Sequence, residues 1–91
     1  MTFDAIDPLL HTWSTRNNVP LYTSYKDEQV RSFEVVGSSG RAQIWVEMNN
    51  GITVHVWDYR KRRQVFSADA STLQARLDEA VTMARQWCNT V

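Results

Sequence analysis

The side chains best suited to proton transfer, nucleophilic attack or metal ligation in this 91-residue chain are two histidines, His11 and His55, and a single cysteine, Cys88. They lack the close spacings by which structural and catalytic metal sites gather ligands, so no metal centre is expected. Cys88 follows Trp87 on an apolar helical stripe, where a thiol behaves as a small inert hydrophobe. A reactive thiolate needs an exposed, electropositive setting instead. His55 comes nearest to acid–base chemistry, because the strand register argued below places it on one sheet face with Glu47, a possible proton-transfer pair. Without a nucleophile, oxyanion donors or a formed pocket, such a pair is not a catalytic constellation. An exposed polar cross-strand contact accounts for it equally. Gly37, Gly40 and Gly51 all fall in turns, which leaves no glycine-rich loop to cradle a phosphate. The expectation is a protein that is not an enzyme and uses no cofactor.

Two other features carry binding chemistry. Arg60, Lys61, Arg62 and Arg63 form a run of four cations suited to phosphates or acidic partners. The same run also serves ordinary solubility and edge protection. Ten Lys and Arg balance ten Asp and Glu, whereas a domain built mainly for nucleic acid has a pI above about 9. The second feature is the tryptophan content, four in so short a chain. Where those indoles point depends on the elements that carry them.

Phe3, Ile6, Leu9, Leu10 and Trp13 recur at helical spacing in the segment from Thr2 to Asn18. Asp7 before Pro8 reads as an N-cap followed by proline at the first helical position, which starts the regular helix at Pro8 after a looser turn. Arg16, Asn17 and Asn18 suit the helix end, and Pro20 stops it. The next pattern is β. Arg41 to Met48 and Ile52 to Tyr59 form a hairpin around Asn49, Asn50 and Gly51. That register sets Met48 opposite Ile52, Val46 opposite Val54, Ile44 opposite Val56 and Ala42 opposite Asp58, gathering the aliphatics on one face. A two-residue Asn50-Gly51 turn would set Glu47 opposite Val54 and mix the faces. Val30 to Val36 joins through Gly37 to Gly40, pairing Val35 with Ala42 and Phe33 with Ile44. Leu21 to Tyr25 is a candidate fourth strand across residues 26–29. Leu73, Leu77, Ala80, Val81, Ala84, Trp87 and Cys88 then line one face of a final helix. Ser71 and Gln74 are placed as its capping box, with Asp69 as an alternative cap.

The order is helix, three- or four-stranded antiparallel meander, helix. Two apolar helical stripes need one aliphatic sheet face, giving a two-layer α+β sandwich with both helices on the same side, a single domain over residues 1–91. The α-β-β-β-α order resembles the double-stranded RNA-binding domain in topology. That family's lysine-rich signature at the start of the second helix is replaced here by Ser71, Thr72, Leu73, Gln74 and Ala75, so neither its function nor its sites carry over. One cysteine makes no internal disulfide, and no apolar run approaches the roughly 20 residues of a membrane span. The default compartment is the cytoplasm.

Trp13 and Trp87 belong to helical stripes and are expected in the core. Trp45 and Trp57 fall on the sheet face turned away from it, with His55 between them and Tyr59 at one end. Aromatic side chains of about 150 to 250 Å² each make a patch of the size that marks interaction sites. The leading expectation is a homodimer or protein-docking module in which the indoles supply desolvated area, His55 and Tyr59 supply polar contacts, and Glu34, Glu47 and Arg60 form a charged rim. The alternative is a nucleic-acid or anionic-ligand binder in which Arg60, Lys61, Arg62 and Arg63 meet phosphates while Trp57 or Tyr59 stacks on a base.

Overall fold

The first apolar stripe folds as expected, with one change at its start. In the computed structural model, which describes residues 3–22, 30–48 and 50–89, a 3-10 turn over Phe3–Ala5 leads into helix α1 (Asp7–Asn17). Phe3, Ile6, Leu10 and Trp13 are all buried. Asp7 does not cap this helix. Ile6 holds the cap position without a side-chain bond, and Asp7 sits inside the first turn. Its carboxylate instead receives Arg31 Nε at 3.1 Å and Nη2 at 3.3 Å, while the same guanidinium lies 4.2 Å from the Phe3 ring centroid. A two-pronged, charge-assisted pair outcompetes one cap bond, and an acid in the first turn still suits the helix dipole. At the other end Asn18 takes the left-handed conformation, φ 56° and ψ 43°, as its residue type suggests.

The β-rich middle forms five strands rather than three or four. They are β1 (Leu21–Tyr22), β2 (Val30–Val36), β3 (Arg41–Met48), β4 (Ile52–Trp57) and β5 (Arg63–Ala68), antiparallel and in sequential order. Of the candidate strand from Leu21 to Tyr25, Leu21 and Tyr22 pair with Phe33 and Ser32; Thr23 to Tyr25 lie outside the described residues. The strand without a sequence expectation is β5. Its inner side offers Gln64, Phe66 and Ala68, a thin apolar alternation that begins inside the cationic run. The two added strands also remove the topological likeness to the RNA-binding family.

Within the sheet, the expected register holds wherever the aliphatic pattern set it. Met48 opposes Ile52, Val46 opposes Val54, Ile44 opposes Val56, Phe33 opposes Ile44 and Val35 opposes Ala42. Asn50 and Gly51 take positive φ, 58° and 132°, in the tight connection. The expected pairing of Ala42 with Asp58 does not form, because β4 ends at Trp57. Asp58 turns the chain instead: its Oδ1 accepts the backbone N–H of Arg60 at 2.9 Å and of Arg62 at 3.1 Å, and Tyr59, next after Asp58, takes φ 65°. An aspartate that satisfies two backbone donors of the following loop favours a turn over a continued ladder.

Helix α2 (Leu73–Cys88) buries Leu73, Leu77, Ala80, Val81, Ala84 and Cys88. It rests on the inner sheet face, where Phe33, Ile44, Val46, Val54 and Val56 are fully buried. Trp13 of α1 meets Phe33 of that face edge-on at 5.0 Å and donates its Nε1–H to Asp78 of α2 at 2.9 Å, so both helices share one side of the sheet. Trp87 is only half-buried, packed against the core from its edge. The cap is the alternative, Asp69, two residues before Ser71. Asp69 Oδ1 accepts the N–H groups of Ser71 and Thr72, and the Asp69 N–H donates to Thr72 Oγ1 at 3.0 Å. A carboxylate is the stronger acceptor for unsatisfied helix-start donors, which is why it displaces Ser71.

Candidate functional site

Strand alternation sends every second residue to the side opposite the helices. The registers arrange those outer residues in rows across the strands. One row holds Tyr22, Ser32, Trp45, His55 and Val65, and the next holds Glu34, Gln43, Trp57 and Arg63. Beyond them, Val30, Glu47, Thr53 and Ser67 mark one end of the face, while Val36 and Arg41 mark the other. Among the described residues, the four large hydrophobic ones that are clearly exposed, Tyr22, Val36, Tyr59 and Val65, all belong to this face or its rim.

The aromatic residues form two pairs. Trp45 and His55 stack with ring centroids 4.5 Å apart and planes within 3°, and Arg63 places its guanidinium 5.7 Å from the Trp45 ring centroid. Trp57 and Tyr59 lie 4.8 Å apart at a tilt of 48°. Polar atoms at the edges fix both pairs: Trp45 Nε1–H donates to Glu47 Oε1 at 2.9 Å, and the Tyr59 hydroxyl donates to Glu34 Oε2 at 2.7 Å. Arg41 stands over the Tyr59 ring and 3.5 Å from Glu34 Oε1. The indoles are thereby held in defined orientations while remaining half-exposed. Between them, Val30, Ser32, Gln43, Trp45 and Trp57 line an apolar depression of about 260 Å³.

His55 is the electrostatic exception. Its side chain is 13% exposed, its ring nitrogens are buried without a hydrogen bond, and Glu47 Oε1 lies 3.8 Å from Nε2. Burial holds its pKa below the usual 6.5; the Glu47 carboxylate pulls the other way, and Arg63 adds to the lowering. A lowered folded pKa means that the unfolded chain takes up the proton first. Stability is therefore full above pH 6.5 and falls as the pH drops through that value towards the folded pKa. The urea midpoint is expected to decrease between neutral pH and mildly acidic pH, and His55→Phe, which keeps the ring stack, is expected to flatten that part of the profile. An unchanged slope in His55→Phe would assign the effect to other groups.

The remaining chemistry-bearing residues do not converge. His11 is exposed on α1, and Cys88 is buried at the end of α2, where burial and the Glu34 and Asp58 carboxylates push its thiol pKa up. His55 lies on the opposite side of the sheet from both helices. No group of three or more potential metal ligands occurs among the described residues. The cationic run is also divided by the fold. Arg62 lies 3.9 Å from Asp58, Arg63 belongs to β5 and covers Trp45, and Arg60 and Lys61 are exposed at the loop. Arg60 and Arg41 line a second depression, of about 250 Å³, with Tyr59 and Trp87.

Sequence reasoning placed Trp45, Trp57, His55, Glu47 and Glu34 on one face, and the registers agree. It passed over Tyr22, Val36, Arg41, Arg63 and Val65 as members of that face. Val36 and Arg41 were recoverable by extending the Val30–Val36 and Arg41–Met48 alternation to its ends; Val65 and Arg63 required the fifth strand. No protein-family model matches the chain, and no curated protein or solved structure matches it either. Among the described residues no helix is long and apolar enough to cross a membrane. The site must be read from its own geometry.

Proposed function

We propose that the chain is a protein-interaction module that docks through the outer sheet face centred on Trp45 and Trp57. The observation that carries this reading is the placement of Tyr22, Val36, Tyr59 and Val65, all exposed, around two half-exposed indoles on the side of the sheet away from both helices. Aromatic anchors set in fixed orientations lose little conformational entropy on binding, and a shallow apolar depression beside them accepts an inserted side chain. Glu34 and Glu47 are committed to orienting Tyr59 and Trp45, which suits positioning more than catalysis.

Phosphate recognition by Arg60, Lys61, Arg62 and Arg63 is the second reading, favoured by the way Arg60, Arg41 and Tyr59 share one depression. Solution mass measured over a range of concentrations and salt separates the two. Association through the face is expected to be lost in Trp57→Ala while the fold is retained, and to depend weakly on salt. A labelled single-stranded oligonucleotide is expected to bind neither protein. Equal association by wild type and Trp57→Ala would remove the face reading, and tight, steeply salt-dependent oligonucleotide binding would put the basic run in its place.

A further inference from the structure

Among the described residues, the outer face carries opposite charges at its two ends. At one end stands Glu47, its side chain 40% exposed, beside the uncharged Val30, Thr53 and Ser67. At the other stand Arg41, its side chain 65% exposed, and Arg60, Lys61 and Arg62 of the loop after Asp58, cations that outnumber the nearby Glu34 and Asp58. We infer that the occupant of this face is a second copy of the chain, packed sheet to sheet about a two-fold axis that crosses the strands, so that Glu47 of each copy meets Arg41 of the other. The inference rests on the docking role proposed above for the same face and adds its partner and orientation.

Symmetry and charge fix the orientation. Two identical faces can stack about a two-fold axis that runs either along the strands or across them. An axis along the strands superposes like ends and exchanges the sheet edges; centred on β3, it sets Arg41 against Arg41 and Glu47 against Glu47 of the second copy, juxtaposing like charges. An axis across the strands reverses the ends. Centred between the Trp45 and Gln43 rows, it sets Glu47 against Arg41, His55 against Trp57, Trp45 against Gln43, and Val30 against Val36 of the second copy. The most exposed aliphatic residue of the face, Val36 at 70%, then finds an apolar neighbour. Aligned sheet packing rotates the strands by about 30°, a displacement that an arginine side chain spans at the ends of the face.

The area supports a reversible dimer. Five strands about 4.8 Å apart, from two residues in β1 to eight in β3 and rising about 3.3 Å per residue, give a face of roughly 450 Å² per copy. Two such faces bury roughly 900 Å², just under the bound for a stable specific interface and within the range of weak, transient pairs. A second copy also satisfies both poles of the face at once. A partner of one charge sign would satisfy only one.

Charge reversal tests the pairing. Sedimentation or light scattering across concentrations that span micromolar to millimolar is expected to show a wild-type monomer–dimer equilibrium. Glu47→Arg and Arg41→Glu each place like charges at both symmetric contacts and are expected to weaken dimerisation about tenfold or more. Mixing the two variants restores both contacts, so a heterodimer of near wild-type affinity is expected, as is recovery in the Glu47→Arg/Arg41→Glu double variant. Recovery also shows that the single variants fold. A wild type that stays monomeric throughout overturns the second copy as occupant. Dimers lost in Trp57→Ala but untouched by charge reversal, or not restored by mixing, overturn this orientation while the face itself stands. Dimers that survive Trp57→Ala overturn both.

Discussion

Trp13→Ala is expected to destabilise the fold by about 3–5 kcal/mol, the range for deleting a large buried aromatic side chain. Trp13 is 2% exposed and is the point at which α1, the sheet and α2 meet. Its ring packs edge-on against Phe33, and its Nε1–H satisfies Asp78. Alanine removes the ring, the aromatic contact and that bond together, and α1 has few other large groups with which to hold its place. A domain of this size has about 5–13 kcal/mol in total, so the loss is a large fraction of it. Urea unfolding should show the midpoint falling with little change in slope. Trp13→Phe keeps most of the buried area and forfeits chiefly the bond to Asp78, at an expected cost nearer 1 kcal/mol plus some imperfect packing. If Trp13→Ala cost less than about 1 kcal/mol, the docking of α1 against Phe33 would be wrong.

The contrast between Trp13 and Trp57 illustrates what the sequence reveals. Both are tryptophans in an amphipathic element, but one falls on a stripe of period 3.6 with Phe3, Ile6 and Leu10, and the other alternates with Val54 and Val56. Period alone sends the first inwards and the second outwards, and the positions agree. Register was legible for the same reason. A slip of one residue between β3 and β4 would have kept one aliphatic pair inside and turned the other, Ile44 and Val46 or Val54 and Val56, to the outside, which no core tolerates.

What stayed hidden was decided by tertiary partners. The six residues of β5 carry one strong apolar group on the inner side, Phe66, and their strand identity comes from pairing with β4, whose own apolar pattern lends the energy. Asp7 has every local mark of an N-cap, yet Arg31, far away in sequence, claims its carboxylate. Asp58 has the parity of a strand residue but makes turn bonds with Arg60 and Arg62. In the candidate site, face membership was readable and the register already sets Trp45 opposite His55, whereas the tie from Tyr59 to Glu34 and the division of the cationic run depend on where β4 stops. Tyr59 leaves the ladder, takes a positive φ and swings back onto Trp57. Nothing local to Tyr59 announces that path.

Gly37→Ala is expected to cost about 3 kcal/mol, the upper part of the range for overpacking, because the obstructing atoms are backbone. A β-carbon at Gly37 would stand 2.6 Å from the carbonyl oxygen of Cys88 and 2.8 Å from its carbonyl carbon, with the Cys88 β-carbon closer still. The close approach has a purpose in the fold. The turn from Gly37 to Gly40 caps the C-terminus of α2: the Ser39 N–H and hydroxyl both donate to the Cys88 carbonyl, at 2.8 and 2.6 Å, and the Ser38 N–H donates to Asn89 Oδ1 at 2.9 Å. Pushing the turn away strands these otherwise unsatisfied helix-end groups as well as opening a gap beside Cys88. Gly40→Ala is the matched control, since its β-carbon meets nothing within 4 Å. Urea unfolding should separate the two variants clearly, and the Cys88 thiol should react faster with a disulfide reagent in Gly37→Ala alone. The same displacement reaches the outer face, because Ser39 and Gly40 lead directly into Arg41 and share its depression with Tyr59. Gly37→Ala should therefore weaken the proposed self-association together with stability, whereas Arg41→Glu is expected to weaken only the association, with the turn and its cap left in place. Finding Gly37→Ala as stable as Gly40→Ala would mean that the turn does not pack against the end of α2 in solution.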